Sequence, residues 1–172
     1  STPLYSSAAS DVYKRQYAHG RDAAARQEMA VASLFGGLAL ANAGLGAVHG
    51  LAAPLGGMFP AGHGAVCARL LPFVMAANIA ALETRAPHSP ALARYEDVAR
   101  ILTGKPTASA RDGVQWVTML CADLAVMPLV RFGVTEAALP SIVAQAQKAS
   151  SMKANPISLT DAELVQILRQ AL

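Results

Sequence analysis

Apolar residues dominate the stretch from Met29 to Ala68, which contains no Asp, Glu, Lys or Arg. Its apolar positions do not alternate with polar ones, as they would in a half-buried strand, and Ala, Gly and Leu make up most of it. The pattern indicates a pair of helices that are hydrophobic on most sides and buried in an all-helical core. We expect the first helix to begin after a cap at Asp22 and to end near Gly50 or Pro54. The second is predicted to begin at His63.

Helix caps mark further helices along the rest of the chain. Ser89, which a proline follows directly, is typical of a helix start, and Gly104 is typical of the end of the same helix. Residues 110–126 carry apolar side chains at helical spacing. Thr160 and Glu163 form the pattern of a capping box in front of the last apolar stripe. Because no strand pattern of useful length accompanies these signals, the predicted fold class is all-α, a helical bundle.

The charge-free stretch also raises the alternative of a membrane hairpin, since roughly 20 apolar residues suffice to span a bilayer. The stretch is rich in small residues, contains Asn42 and two prolines, and lacks flanking belts of aromatic residues. These features favour helices buried in a protein core over helices in lipid. We therefore expect no membrane association.

Charge and cysteine content narrow the class of protein further. The net charge of +3 comes from scattered Arg and Lys residues without a basic run, which argues against a nucleic-acid partner. The chain has two cysteines, Cys67 and Cys121, and shows no signal peptide, which favours a reducing, cytoplasmic location. A chain of 172 residues is long enough for one domain with a sizeable core.

The first residues differ from the rest. Residues 1–16 are polar and rich in serine, do not begin with Met, and show neither helical nor strand periodicity. We expect them to form a non-native or disordered tail, and residues 17–172 to form a helical metal-binding domain. So abrupt a start also predicts that the chain is a fragment of a longer protein.

Two histidines, His49 and His63, lie inside the charge-free stretch and are framed by glycines. We expect His49 at the end of the first helix and His63 at the start of the second, with a connection rich in proline and glycine that folds back and brings both rings together. A neutral imidazole is the commonest protein ligand of divalent transition metals, so the pair is a candidate metal site. The alternative is that each ring is a buried residue bonded to a backbone carbonyl.

The glycines around His49 do not form a nucleotide-binding motif. Gly44 and Gly46 are not preceded by a strand, the third glycine of a dinucleotide fingerprint is absent, and no Walker-type lysine follows. We interpret them as positions where backbones approach closely, either around the histidine site or simply between packed helices.

Residues 42–78, NAGLGAVHGLAAPLGGMFPAGHGAVCARLLPFVMAAN, resemble the signature of the iron-containing (group III) alcohol dehydrogenase family. That signature is roughly G-x-x-H-x-x-x-x-x-L-G-G-x-x-x-x-x-H-G followed by a Leu-Leu-Pro helix, and His49 and His63 coincide with the family's two C-terminal metal ligands. The resemblance extends through the segments YEDVARILTG, MPLVRFGVTEAAL and SSMKANPISLTDAELVQILRQAL, and so covers most of the chain.

The resemblance implies a two-domain, dehydroquinate synthase-like enzyme whose N-terminal α/β domain binds NAD or NADP. This chain would be the C-terminal helical domain, with a divalent metal, Fe(II) first and Zn or Ni as alternatives, that polarises the oxygen of a small alcohol or carbonyl substrate during hydride transfer. The family's other two ligands, an Asp and a His, lie on a helix that precedes this sequence. The chain alone is therefore expected to be inactive and to contain no residues that bind the nicotinamide cofactor. No residue is assigned as the catalytic base, and a homo-oligomer stays open.

One departure from the family pattern affects the proton path. Many members carry a further histidine four residues after the first ligand, where this sequence has Ala53. The substitution keeps a maleylacetate-reductase-like member of the family open as an alternative. A second alternative is a non-enzymatic helical interaction domain in which the histidines are structural.

Several side chains are candidates to surround the metal. Leu45 lies four residues before His49 and is predicted to share its helix face, and Phe59 follows in the connecting loop, so both are candidates for the substrate pocket. Cys67, one helical turn after His63, either stands near the metal or is a small buried apolar residue.

Three further side chains are assigned no part in the site. His19 and His88 lie in polar or proline-flanked surroundings and are predicted to be exposed to solvent. Trp116 lies on an apolar stripe and is predicted to belong to the core.

Overall fold

The computed structural model describes residues 14–172, and this part of the chain contains helices and no β-strand. The predicted all-α class is confirmed. In addition to a helical segment at residues 14–18, the α-helices are α1 (Ala23–Ala43), α2 (Ala47–Met58), α3 (His63–Arg85), α4 (Pro90–Thr103), α5 (Ala110–Asp123), α6 (Leu139–Ala146) and α7 (Asp161–Ala171). Short 3₁₀ helices cover Leu129–Phe132, Glu136–Ala138 and Ser150–Ala154.

The apolar run after Asp22 forms two helices, so the expectation of one helix reaching Gly50 or Pro54 is wrong. The N-cap is confirmed, because the Asp22 carboxylate accepts the backbone N–H groups two and three residues ahead of it. The helix ends at Ala43, since Gly44 adopts a φ of +73°, a backbone conformation that residues other than glycine rarely adopt. The chain then bends by 104° and continues as α2, which contains Pro54.

The buried core lies where α2 and α3 pack against α6 and α7. α3 begins at His63, as predicted, and runs as one helix through Pro72. Each large apolar side chain buried here contributes about 1.5–3 kcal/mol relative to an exposed one. The core residues that are almost completely buried include Leu51, Leu55, Leu70, Leu139, Ile142, Leu164, Ile167 and Leu168.

The expectation that both apolar helices are buried on most sides is correct for α2 and α3 and wrong for α1. Ala25 is the one buried residue of α1. Leu34 and Phe35 are each 63% exposed and Leu38 is 52% exposed. The absence of charged residues from α1 after Glu28 therefore does not reflect burial within this chain.

The helix pair α4 and α5 packs on one side of α3, and local signals predicted its boundaries well. Ser89 accepts the backbone N–H of Ala91, and Gly104 ends α4 in the left-handed conformation, which confirms both caps. α5 ends at Asp123 rather than continuing to residue 126, because Ala125 adopts a left-handed φ of 50°. At the other end of the chain the capping box of Thr160 and Glu163 is confirmed.

By length and composition α3 could cross a membrane. α1 and α2 would be long and apolar enough only if the two helices, bent by 104° at their junction, formed one span. Half of the apolar window of α3 is buried inside the protein. α3 packs against α2, α5 and α7. Its apolar surface is therefore used in contacts with other helices of the same chain.

Most of the predicted tail, residues 1–13, lies outside the described residues. Residues 14–16 are helical, and the ammonium group of Lys14 lies 3.0 Å from the Asp123 carboxylate. The boundary at residue 17 stays a prediction.

Candidate metal centre

His49 lies in the first turn of α2, rather than at the end of the preceding helix as expected. The start of α2 is fixed by Asn155, whose side-chain oxygen accepts the backbone N–H of Ala47 at 3.0 Å. Gly46, the N-cap residue, has no side chain that could accept a backbone N–H of the first turn. A Cβ at position 46 would lie 2.9 Å from the side-chain oxygen of Asn155. The glycine therefore allows Asn155 to approach and cap the helix that carries His49.

Asn155 is in turn held by a buried polar network that sequence reasoning missed. Its amide nitrogen donates to the Asn78 side-chain oxygen at 2.8 Å and to the Ile157 carbonyl at 2.7 Å. Asn78 is 2% exposed and donates to the Tyr95 hydroxyl at 3.0 Å. The one signal in the sequence is that Asn78 is a lone amide in the apolar part of α3, a residue type that is rarely buried unless it is hydrogen-bonded.

His63 is the first residue of α3, and the structure brings its ring next to that of His49. The ring centroids lie 5.3 Å apart and the ring planes are inclined at 49°. The short connection after Met58 folds back so that α2 and α3 pack together. Two imidazoles that are separated in sequence therefore meet where α2 and α3 both begin.

Cys67 completes a cluster of three metal-competent side chains. Its Sγ lies 3.5 Å from Nε2 of His63, one helical turn away on α3. One ligand atom from each of His49, His63 and Cys67 can be chosen so that all three lie within 4.8 Å of one another. His49 and Cys67 are half-buried, whereas His63 is exposed.

The electrostatic environment favours the neutral form of the His49 ring. Burial lowers the pKa of His49 below its ordinary value of 6.5, and repulsion from His63 lowers it further. Burial also raises the pKa of the Cys67 thiol. Because a metal binds the lone pair of a neutral imidazole, the shift at His49 favours a ligand role at neutral pH.

An open cleft of about 590 Å³ adjoins His49 and Cys67. Leu45 lines this cleft, but it lies in the break between α1 and α2, so the prediction that it shares a helix face with His49 is wrong. Phe59 is not among the residues that line the cleft; it is half-buried and packs against the core. The apolar wall near His49 is therefore formed by Leu45 and by the side of α3, including Leu71.

The remaining candidate positions lie apart from the cluster or carry no chemistry. Ala53 is exposed on α2, one turn after His49, and offers no group for proton transfer. His19 and His88 are exposed, as predicted. Trp116 is half-buried rather than part of the fully buried core.

Comparison with known proteins places this geometry in a family. Residues 8–172 match the sequence profile described as the Fe-containing alcohol dehydrogenase family, C-terminal. The chain is 34% identical over 164 residues to the 1,3-propanediol dehydrogenase of Klebsiella pneumoniae, a match that covers 92% of this chain and 40% of that protein. It is 31% identical over 156 residues to the lactaldehyde reductase of Escherichia coli, covering 87% of this chain and 38% of that protein.

Solved structures agree with these sequence matches. The crystal structure of a 1,3-propanediol oxidoreductase superposes with a TM-score of 0.84 at 31% identity, covering 95% of this chain and 42% of the other. An alcohol dehydrogenase from Oenococcus oeni gives a TM-score of 0.82 at 29% identity, with the same shares of the two chains covered. The chain thus spans about 40% of the length of the curated relatives that it matches. It belongs to the Fe-containing alcohol dehydrogenase family and corresponds to the C-terminal helical region of its members.

Proposed function

We propose that this chain is the metal-binding C-terminal part of an NAD(P)-dependent alcohol dehydrogenase or carbonyl reductase, in which His49 and His63 hold a divalent cation. The observation that supports the proposal is the meeting of these two rings, 5.3 Å apart, where α2 and α3 begin. This side-chain geometry supports the proposal independently of the family relationship.

The donor set fits a first-row divalent metal. Imidazole nitrogen suits iron, zinc and nickel alike, and the lowered pKa of His49 favours the neutral ring that a metal binds. Neighbouring nitrogen ligands in a tetrahedral site lie roughly 3.3 Å apart, given metal–nitrogen bonds of about 2.0–2.1 Å. Ligand atoms of the two rings lie within 4.8 Å of each other, so binding one ion requires them to approach by at most about 1.5 Å. We propose Fe(II) as the physiological ion, with zinc and nickel as the alternatives that metal analysis distinguishes.

The residues of this chain position the ion and shape one side of the substrate site. A bound divalent cation supplies Lewis-acid polarisation of an alcohol or carbonyl oxygen. α2 holds His49 in place through the contact between Ala47 and Asn155. Leu45 and Leu71 present apolar surface in the same cleft, which favours the carbon skeleton of a small substrate.

The hydride donor or acceptor is proposed to come from outside this chain. None of its glycine motifs follows a strand, so NAD or NADP is expected to bind a separate nucleotide-binding domain. We infer that the substrate lies between that domain and the cleft beside His49. Relatives named 1,3-propanediol dehydrogenase and lactaldehyde reductase support short alcohols and aldehydes as the substrate class.

The test uses the complete enzyme, in which the nucleotide-binding domain accompanies this chain, and compares His49→Ala, His63→Ala and His88→Ala. Each of the first two should lose most of the bound metal and most of the alcohol-dependent reduction of NAD or NADP. His88→Ala should retain both, because His88 is exposed and is not part of the cluster. Full metal occupancy and full turnover in His49→Ala would refute the proposal.

Two further measurements refine it. Metal analysis of the purified enzyme identifies the ion, and assays with short alcohols, short aldehydes and maleylacetate separate the substrate alternatives. The 172-residue chain without the other domain should show no turnover, which provides the baseline for these assays.

A further inference from the structure

We propose that the exposed apolar stripe of α1 is the surface on which the preceding part of the complete polypeptide packs. The stripe consists of Val31, Leu34, Phe35 and Leu38. The inference rests on the proposed function in one respect, namely that this chain is the C-terminal part of a longer enzyme. The occupant of the stripe is then a segment of the same polypeptide, and not a second copy of the chain.

The four side chains of the stripe lie on one face of α1. Successive residues of an α-helix are about 100° apart around its axis, so positions 31, 34, 35 and 38 fall within an arc of about 100°. An arc of this width is typical of the apolar face with which a helix packs against a protein core. In this chain the same four side chains are between 47% and 63% exposed. The face that α1 is built to bury is therefore uncovered.

A different side of α1 contacts the rest of the chain. Ala25 is buried and Met29 and Ala32 are half-buried, and the helical spacing places all three away from the middle of the stripe. Gln27 and Asn42 share the side of the stripe and bound it at its two ends. An apolar centre with a polar rim is typical of a contact between two protein surfaces.

A longer chain accompanies this arrangement of helices in a solved structure. The superposition on the 1,3-propanediol oxidoreductase includes 95% of this chain and 42% of that chain. The share of this chain that is left out contains fewer residues than α1, so the superposition includes at least part of α1. Because residues 8–172 match the C-terminal profile of the family, the additional part of such a protein precedes α1 in sequence. A large segment is therefore available on the N-terminal side of α1.

Sequence neighbourhood and charge favour that segment as the occupant. Consecutive elements of a chain usually lie next to each other in space, and a tethered segment has a high effective concentration at the surface beside it. The contact must be apolar, since α1 carries no Asp, Glu, Lys or Arg after Glu28. Residues 43–49, which follow α1, line the cleft beside the histidines. A segment that covers the stripe therefore also lies close to the candidate metal centre.

The first measurement compares rates of cysteine labelling in the complete enzyme. Leu34→Cys places a thiol in the stripe, and Met119→Cys places one on α5, at positions that are 63% and 59% exposed in this chain. Mass spectrometry of peptides separates the new thiols from Cys67 and Cys121. Maleimide should label Leu34→Cys at least about tenfold more slowly than Met119→Cys, because a covered thiol reacts only through local opening. After denaturation in urea the two rates should be equal.

The second measurement is the melting temperature of the complete enzyme with Phe35→Ala. Truncation of a covered Phe35 removes apolar contacts and leaves a cavity, so the melting temperature should fall. Truncation of an exposed Phe35 would leave it unchanged or raise it, because alanine has the higher helix propensity. Met119→Ala is the control and should follow the second course. Sedimentation should show the same oligomeric state for Phe35→Ala and the wild type, since the occupant belongs to the same polypeptide.

The outcomes decide between the possible occupants. Equal labelling of Leu34→Cys and Met119→Cys in the folded enzyme would overturn the inference, and so would an unchanged melting temperature of Phe35→Ala. Dissociation of Phe35→Ala into smaller folded species would overturn it in favour of a second copy of the chain. None of these measurements reads the metal. The proposed function is tested by the metal content of His49→Ala, so each proposal can fail while the other holds.

Discussion

The side-chain oxygen of Asn155 accepts the backbone N–H of Ala47 at 3.0 Å, and this bond ties a residue near the end of the chain to the helix that carries His49. The two residues are 108 positions apart in sequence. Asn155 also bonds to Asn78 on α3. Asn155 therefore links α2 and α3, the two helices that carry the histidines, in addition to the core packing between them.

Replacing Asn155 by leucine should destabilise the protein and weaken metal binding together. The variant leaves the N–H of Ala47 without its partner, and it removes the donor to the side-chain oxygen of Asn78, which is 2% exposed. Each buried polar group left unsatisfied costs about 1–3 kcal/mol. The free energy of unfolding in urea and the affinity for Zn²⁺ measure the two effects.

Asn42→Leu is the matched control for this prediction. The Asn42 side chain is exposed on α1 and donates to the carbonyl oxygen of Leu38 in its own helix. Its replacement should change the free energy of unfolding by no more than about 0.5 kcal/mol. Equal effects of the two substitutions would show that the Asn155 network does not hold the site together.

Replacing two glycines of α2 by alanine should change the free energy of unfolding in opposite directions. A Cβ on Gly50 would lie 2.2 Å from Sδ and 2.6 Å from Cγ of Met152, so Gly50→Ala should cost about 1–3 kcal/mol through overpacking. Gly56 lies in the same helix with nothing within 4 Å of such a Cβ. Gly56→Ala should therefore stabilise the protein by about 0.5–1 kcal/mol.

Thermal unfolding of both variants and of the double variant Gly50→Ala/Met152→Ala tests the cause of the effect. Because the clash at Gly50 is with Met152, shortening that side chain should recover part of the loss, and the two substitutions should not be additive. A loss at Gly50 that is unchanged in the double variant would show that Met152 is not responsible.

His49 should make stability depend on pH on the acidic side. The pKa of His49 is lowered in the folded protein relative to the ordinary value of 6.5, so the unfolded chain binds more protons between the two values. The contribution is fully present above about pH 6.5 and is lost as the pH falls toward the lowered pKa. Urea unfolding of the metal-free chain at a series of pH values measures it.

His49→Gln should flatten this dependence in the same range of pH, since glutamine does not titrate. His88→Gln serves as the comparison, because His88 is exposed on a loop. If the wild type and His49→Gln lost the same stability on acidification, burial of His49 would not be the source of the effect.

Local signals were sufficient to predict most helix ends and the fold class. The side chains of Asp22, Ser89 and Thr160 each cap the helix that directly follows them, and all three contacts lie within a few residues. The break at Gly44 was missed, because glycine is tolerated inside a helix and the sequence does not show that this one adopts a positive φ. That break moved His49 from the end of one helix to the start of the next.

The surroundings of the site could not be predicted, because they depend on contacts between distant segments. Asn78 and Asn155 are 77 residues apart, and neither lies in a sequence motif from which their contact could be predicted. The exposure of α1 was missed for a different reason. An apolar pattern predicts that a surface avoids water, but it does not identify what covers that surface.

The exposed apolar stripe of α1 should cause the 172-residue chain to self-associate. Leu34, Phe35 and Leu38 are all more than half exposed and lie on a helix without nearby charges. Contiguous apolar surface of this kind favours association, since burying it releases free energy roughly in proportion to its area. Leu34→Glu/Phe35→Glu should increase the monomer fraction in sedimentation experiments, and glutamate keeps the helix intact because its helix propensity is high. Met119→Glu, at a position 59% exposed on α5, adds the same kind of charge elsewhere and should leave association nearly unchanged. A wild-type chain that is as monomeric as the double variant at the same concentration would contradict this role for α1.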